Sequence, residues 1–176
     1  MHPLTETRFP GAAEEGWKAL KSYAGGPMQV PHRDFKVNAA DQFDFWNYHQ
    51  VPGSTLLALQ NGTRFRGFAW NHIGADLSEE TMIELNRGDV LVFRGEFIYS
   101  GAAYDRMNIR IRCYLVPPEY HHNPNTTEIL AVLDPEAMRA PENQCPTCQE
   151  RKRLRQTLSK ADVIEAIRSV GTPLFR

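Results

Sequence analysis

Short runs rich in apolar, β-branched and aromatic residues, separated by turns that contain glycine or proline, dominate the middle of the chain. Runs of this length are typical of strands, whereas core helices need longer periodic stretches. The predicted strands are 54–60, 63–69, 81–85, 90–93, 96–99, 108–115 and 128–133. So many short strands divided by turns predict a mainly β fold, of the β-sandwich or jelly-roll kind.

The dipeptide Asn61-Gly62 lies between the first two predicted strands. Asn-Gly tolerates the two positive φ angles of a two-residue hairpin turn better than other pairs. The pattern therefore predicts that 54–60 and 63–69 form a β-hairpin.

Helical patterns occur near the two ends of the chain. A short helix is predicted over 11–23, because apolar residues recur at helical spacing until Gly25-Gly26-Pro27 ends the pattern. The spaced residues are Ala13, Trp17, Leu20 and Ala24. Near the other end, 151–170 is helical in composition, and Ser159 offers an N-cap.

These patterns divide the chain into three expected segments. Residues 1–27 form a helical lead-in, 28–134 form the β domain, and 135–176 form an appended helical segment. The length of 176 residues suits one principal domain.

The charge is nearly balanced, with 20 Lys and Arg against 21 Asp and Glu, which excludes a protein that is basic throughout and binds nucleic acid. The balance is uneven, because 149–176 holds seven basic and three acidic residues, leaving 13 and 18 for the rest. No apolar run is long enough to predict a membrane span, and three cysteines are too few for a disulfide scaffold. We therefore expect a soluble, intracellular protein without a membrane partner.

The tripeptide His32-Arg33-Asp34 places an imidazole and a carboxylate two residues apart. On an extended chain such residues project to the same side, so they can ligate one metal ion together. A solvent-exposed ion pair at the start of a strand has the same pattern, and the tripeptide alone does not separate the two readings.

Residues 88–115 resemble the second half of the Fe(II)/2-oxoglutarate-dependent oxygenase family, whose fold is a double-stranded β-helix. The resemblance rests on Gly88-Asp89, the apolar run after it, Gly101-Ala102, and the strand from Asn108. His32-Arg33-Asp34 resembles the His-x-Asp segment of the family, and 54–63 resembles the hairpin that follows it. The implied fold is a double-stranded β-helix, or jelly roll.

The resemblance also implies roles for individual residues. His32 and Asp34 would be two ligands of Fe(II), and Arg110 would bind the far carboxylate of 2-oxoglutarate. Arginine suits this task because its planar fork can grip a carboxylate with two parallel hydrogen bonds. Arg112 projects to the same face of its strand and is expected to assist. The alternative for both arginines is a solvated strand face with the intervening apolar residues buried behind it.

Tyr99 occupies the position where the family carries its distal metal-binding histidine. A phenol with an ordinary pKa near 10 must lose its proton to ligate a metal, and this favours Fe(III) over Fe(II). Three readings remain open. Tyr99 is an unusual third ligand, or another histidine such as His49 or His72 reaches the metal, or the site no longer binds catalytic iron.

Two features lie in the last segment. Cys145-Pro146-Thr147-Cys148 is half of a zinc-site signature, with His121-His122, Cys113 or a second subunit as candidates for the other half, and a reduced pair on a surface turn as the alternative. The basic run 151–155 predicts phosphate contacts or an import signal, with a solvated helix face as the alternative. Base-stacking aromatic residues are absent from this run, so nucleic-acid recognition has no further support.

The expected function is therefore hydroxylase-type chemistry with Fe(II), 2-oxoglutarate as small-molecule co-substrate and an unknown substrate. The alternative is a catalytically inactive β-helix that binds a protein or nucleic acid through its pocket, its cysteine pair and its basic tail. A cupin-like metalloprotein with another ligand set is a third reading. Fewer residues precede His32 than the family usually has, so a second subunit is a candidate to cover the outer face of the sheet. A homodimer is therefore a further expectation.

Overall fold

The computed structural model describes residues 3–35, 51–68, 74–118, 120 and 127–134. The elements within these residues are α1 (Pro3–Arg8), β1 (Ala13–Ser22), β2 (His32–Arg33), β3 (Gly53–Ala58), β4 (Thr63–Gly67), β5 (Ala75–Asp76), a 3₁₀ turn (Leu77–Glu79), β6 (Thr81–Leu85), β7 (Val90–Arg94), β8 (Tyr99–Gly101), β9 (Asn108–Val116), β10 (Glu128–Ile129) and β11 (Val132–Leu133).

Two antiparallel sheets build the fold. One has the strand order β1-β9-β3-β7, and the other has the order β10-β2-β8-β4-β6. A small parallel sheet joins β11 to β5. Alternate residues of a strand face opposite sides, so each sheet presents one apolar face to the other. The main core cluster draws its side chains from both sheets, and its members are Leu56, Ala58, Phe65, Leu85, Leu91, Phe93, Phe97 and Tyr99.

This arrangement confirms the predicted double-stranded β-helix, or jelly roll. A second cluster lies on the outer side of the four-stranded sheet, where Phe9 and Ala12 pack on Cys113 and Leu115 of β9. The chain after α1 thus covers a face that a bare sheet would expose. No helix in the described part of the chain is long and apolar enough to cross a membrane.

The prediction of a helix over 11–23 is wrong, because β1 occupies most of this range and pairs antiparallel with β9. The residues with helical spacing do not form a buried apolar face, and the Trp17 side chain is 55% exposed. Gly16 has φ +62°, and the register shifts between Glu15 and Lys18, which marks a bulge that no helix accommodates. Backbone pairing with a distant strand therefore overrides the local periodicity. The short N-terminal helix is α1 instead.

The hairpin predicted around Asn61-Gly62 is also wrong, although the turn itself is present. Gly62 has φ +71°, as such a turn requires, and the Asn61 side chain accepts a hydrogen bond from Arg87 N at 2.8 Å. The flanking strands β3 and β4 do not pair with each other. The first pairs with β7 and β9, and the second pairs with β6 and β8. The turn carries the chain from one sheet to the other.

The remaining strand predictions agree with the structure to different degrees. The range 81–85 matches β6, while 90–93 and 108–115 each fall one residue short of β7 and β9. The range 96–99 is displaced, since β8 begins at Tyr99. The range 128–133 is divided between β10 and β11, which belong to different sheets.

The predicted C-terminal helical segment, with its cysteine pair and its basic run, lies outside the described residues. The division into 1–27, 28–134 and 135–176 remains a prediction.

Candidate functional site

Strand pairing places His32 directly opposite Tyr99, because these two residues are the Cα partners of β2 and β8. Directly opposed residues project to the same face of a sheet. Tyr99 points into the main core, so His32 projects toward the interior as well. The ring centroids of the two side chains are 4.4 Å apart. Residues 67 positions apart in the chain are thus in contact through the register of the sheet.

Asp34 follows β2, and its carboxylate is the centre of a polar network. It is 1% exposed, so a solvent-exposed ion pair does not describe it. Its Oδ2 accepts a hydrogen bond from Ser54 Oγ at 2.6 Å. Its Oδ1 accepts hydrogen bonds from the Tyr99 hydroxyl at 2.8 Å and from Arg112 Nη1 at 2.9 Å. Both carboxylate oxygens therefore have donors supplied by three different strands, β3, β8 and β9.

Arg112 is the counter-ion of Asp34 in this network. Its side chain is 12% exposed and lies over the ring of Tyr114, with the guanidinium carbon 4.2 Å from the ring centroid. Burial by itself lowers the pKa of Arg112, but the negative charge of Asp34 and the neighbouring tyrosines outweigh it and leave that pKa raised. Its Nε is buried without a hydrogen-bond partner among the described residues.

Tyr99 is a neutral hydrogen-bond donor in this environment. Burial raises its pKa well above the ordinary value, and the negative charge of Asp34 raises it further, while Arg112 partly opposes this. Loss of the phenol proton would place a second negative charge beside a buried carboxylate. The surroundings of Tyr99 therefore oppose the phenolate form that metal ligation needs.

Arg110 lies one inward-facing position before Arg112 on β9. It is 4% exposed, and its Nη1 donates a hydrogen bond to Ser22 Oγ at 2.9 Å. Its guanidinium carbon lies 5.7 Å from the ring centroid of Tyr104. A Cβ built on Gly101 would lie 2.6 Å from Gln29 Oε1 and 3.1 Å from Arg110 Nη2, so the absence of a side chain there makes room for both side chains.

The solvated strand face predicted as the alternative for the two arginines is therefore wrong. Arg110 and Arg112 project inward, and Cys113 and Leu115 are buried on the other face of the same strand. Sequence alternation identifies which residues share a face of β9. It does not show that both faces are covered, because the cover on the outer face comes from Phe9 and Ala12 near the start of the chain.

The described residues do not fit a three-ligand iron site. Among them, no group of three His, Cys, Asp or Glu side chains is arranged to hold a metal ion. His32 Nδ1 lies 2.8 Å from the carbonyl oxygen of Val30, so its Nε2 is the nitrogen left for a ligand. Asp34 has three donors already, and Tyr99 is one of them. The roles of His32, Asp34 and Tyr99 as iron ligands remain a prediction.

Several predicted site residues lie outside the part of the chain that the structure describes. They are His49, His72, His121, His122, Cys145, Cys148 and the basic run 151–155. A zinc ion at Cys145 and Cys148, a nucleic-acid contact through 151–155 and a homodimer all remain predictions. Cys113 lies within the described residues and is buried on β9. Its Sγ lies 3.0 Å from Oγ1 of Thr55, at hydrogen-bonding distance.

Sequence reasoning missed Ser54, which donates to Asp34, and Ser22, which accepts from Arg110. A usable signal exists for Ser54. It shares an inward face with Leu56 and Ala58, so it is a polar residue in an otherwise apolar series, and such a residue needs a buried partner. No comparable signal marks Ser22, because β1 is exposed along most of its length.

No family model and no curated protein sequence match this chain. Solved structures do match it. The apo form of the non-heme monooxygenase ThoJ aligns over 94% of this chain and 72% of that chain, with a TM-score of 0.51 and 13% identity. The ThoJ nickel complex aligns over 94% and 70%, with a TM-score of 0.50 and 15% identity. EvdMO1 aligns over 65% of this chain and 30% of its own length, with a TM-score of 0.49 and 11% identity.

The present chain spans about seven-tenths of ThoJ and under one third of EvdMO1. Likeness at these identities defines the fold alone. The fold is the double-stranded β-helix, and the solved structures that share it include the non-heme monooxygenase ThoJ.

Proposed function

We propose that the chain is an Fe(II)/2-oxoglutarate-oxygenase-like protein that holds a small dicarboxylate in the interior of its β-helix, with Arg110 as the anchor. One observation carries this proposal. Arg110 is a buried guanidinium, and none of the acidic side chains described in the structure pairs with it. The resemblance to the oxygenase family assigns the same residue to the far carboxylate of 2-oxoglutarate.

Charge balance supports an anionic ligand. Burying a charge is expensive unless an opposite charge or several hydrogen bonds compensate it. Arg110 contacts the neutral hydroxyl of Ser22 and the ring of Tyr104. The neighbouring carboxylate of Asp34 is already paired with Arg112. The described inward face around β9 thus presents two guanidinium groups to one carboxylate, and a bound carboxylate would restore the balance.

Hydroxylation itself would need iron. The described residues do not assemble three ligands, so no catalytic step through a metal is assigned. The second candidate function is therefore a catalytically inactive β-helix that uses the same interior as a binding module. The three hydrogen-bond donors on the Asp34 carboxylate favour this second candidate, because they occupy the group that the family offers to the metal.

Calorimetric titration of the full chain with 2-oxoglutarate tests the dicarboxylate site. We expect saturable binding that weakens by roughly tenfold or more in Arg110→Met, since hydrogen bonds to charged groups contribute about 1.5–3 kcal/mol. The control is Arg87→Met, which removes the charge of an exposed arginine in the turn before β7. Absence of binding to the wild type, or equal affinity in Arg110→Met, would contradict the proposal.

Anaerobic addition of Fe(II) and 2-oxoglutarate separates the two candidate functions. A weak visible charge-transfer band that disappears in His32→Ala supports the oxygenase. Binding of 2-oxoglutarate without any such band supports the inactive binding module.

A further inference from the structure

A positively charged side chain, Arg112, already lies at the position where iron is predicted. The buried carboxylate of Asp34 has the Arg112 guanidinium at 2.9 Å as its counter-ion. A divalent metal at Asp34 would add two positive charges to a pair that is already neutral. Because electrostatic repulsion is strong where water is excluded, this arrangement disfavours the metal.

The coordination capacity of Asp34 is also largely used. A carboxylate offers about four lone-pair positions to donors or ligands. Ser54 takes one on Oδ2, while Tyr99 and Arg112 take two on Oδ1. A metal ion on Oδ1 would have to displace at least one of these donors and leave it unpaired in a buried site.

The Tyr99 hydroxyl has little freedom to move away. Its ring stacks on Phe65, with centroids 4.6 Å apart and planes at 15°, and meets the ring of Phe93 edge-on at 5.0 Å. Tyr99 is 5% exposed and belongs to the main core cluster. These contacts direct its hydroxyl to Asp34, so the residue opposite His32 serves as a hydrogen-bond donor.

We infer that Arg112 and Tyr99 together replace a metal ion as the partners of Asp34, so that the folded chain keeps its polar centre without a metal. The inference concerns the His32 and Asp34 side of the interior. It deepens the second candidate function, the inactive binding module, and does not depend on the dicarboxylate site at Arg110. It also implies that the β-helix can be converted into a metal site. Replacing Tyr99 by histidine and removing the Arg112 charge would free Asp34 and supply a second imidazole beside His32.

Cobalt titration of the full chain tests the inference, with calorimetry and visible absorption as readouts. All variants carry Cys145→Ser and Cys148→Ser, so that the predicted zinc pair does not contribute. We expect no saturable Co(II) binding in this background and no fall in the midpoint of thermal unfolding on treatment with EDTA. The variant Tyr99→His/Arg112→Leu should bind Co(II) at least roughly tenfold more tightly and develop ligand-field bands.

The matched control is Tyr99→Phe/Arg112→Leu, which removes the same donors and supplies no imidazole. It should bind Co(II) no better than the background. Stoichiometric Co(II) binding by the background protein that His32→Ala abolishes would overturn the inference. So would equal Co(II) affinity in the histidine variant and the phenylalanine control. If the Arg112 variants do not fold, the inference is tested by Co(II) titration of the background protein and of its His32→Ala variant. Absence of Co(II) binding supports the inference, and Co(II) binding that depends on His32 overturns it.

Discussion

The Tyr99 hydroxyl donates a 2.8 Å hydrogen bond to Oδ1 of Asp34. This bond links β8 to the segment that follows β2, across 65 positions of sequence. It also gives a structural task to Tyr99, which was predicted as a metal ligand, because here a neutral phenol faces the carboxylate of Asp34. The interior is thereby held together by hydrogen bonds between side chains of distant strands.

Tyr99→Phe should lower the free energy of unfolding by about 1.5–3 kcal/mol, because it removes a buried hydrogen bond to a charged group and leaves the ring contacts intact. Urea denaturation measures the change. Tyr104→Phe is the matched control, since among the described residues the Tyr104 hydroxyl bonds the neutral backbone of Arg64, donating to its oxygen and accepting from its nitrogen. A loss in Tyr99→Phe no larger than in Tyr104→Phe would contradict the role assigned to Asp34.

Arg112→Met should be among the most destabilising single changes, by about 3–5 kcal/mol, because it leaves the buried Asp34 carboxylate without a counter-ion. The double variant Arg112→Met/Asp34→Asn should lose less than the sum of the two single variants, because it removes both charges together. Arg66→Met provides the comparison, since its partner Glu80 is 31% exposed and such pairs contribute about 0–1 kcal/mol. Strictly additive losses at Arg112 and Asp34 would show that the pair is not coupled.

Gly53→Ala should lower the free energy of unfolding by about 1–3 kcal/mol through overpacking. A Cβ at this position would lie 2.4 Å from Cε1 and Cζ of Phe9 and 2.9 Å from the carbonyl oxygen of Phe93. Thermal or urea unfolding measures the loss. The double variant Phe9→Ala/Gly53→Ala should lose less than the sum of its single variants, because the smaller side chain relieves the contact. If the losses of the two single variants were additive, the Phe9 ring would not be the source of the steric clash.

The Cys113 thiol should react slowly with a disulfide reagent in the native protein. Burial raises its pKa, although its hydrogen bond with Thr55 partly opposes this, so the reactive thiolate is scarce at neutral pH. The measurement uses the Cys145→Ser/Cys148→Ser variant with 5,5′-dithiobis(2-nitrobenzoate), in buffer and then in guanidinium chloride. Complete reaction in buffer within the mixing time would show that β9 is not covered by Phe9 and Ala12.

The Glu80 carboxyl should titrate below its ordinary range. The hydrogen bond from Arg66 is the main cause of the lowered pKa, burial opposes it, and the positive charge of Arg66 adds to it. Because the folded pKa is depressed, the pair stabilises the fold above the unfolded pKa of Glu80, and this contribution is lost as the pH falls through the folded pKa. NMR titration should show the pKa of Glu80 rising in Arg66→Gln. An unchanged value would remove the ion pair as the cause.

The strand patterns at β6, β7 and β9 were predictable, because alternation and turn residues are local properties of the sequence. The inward face shared by Arg110 and Arg112 was predictable for the same reason. The resemblance to the oxygenase family predicted that His32, Asp34 and Tyr99 converge, and the structure brings them together. Their roles toward iron remain predictions.

The failures share one physical cause. The helix over 11–23 and the hairpin at Asn61-Gly62 were inferred from neighbours in sequence, whereas β1 is held by β9 and the strands beside Gly62 pair with other strands. The sequence by itself determined which residues alternate and where turns fall. Only the tertiary structure decided that the Asp34 carboxylate faces a cation and a phenol, because the pairing of strands distant in the chain sets which buried charges meet.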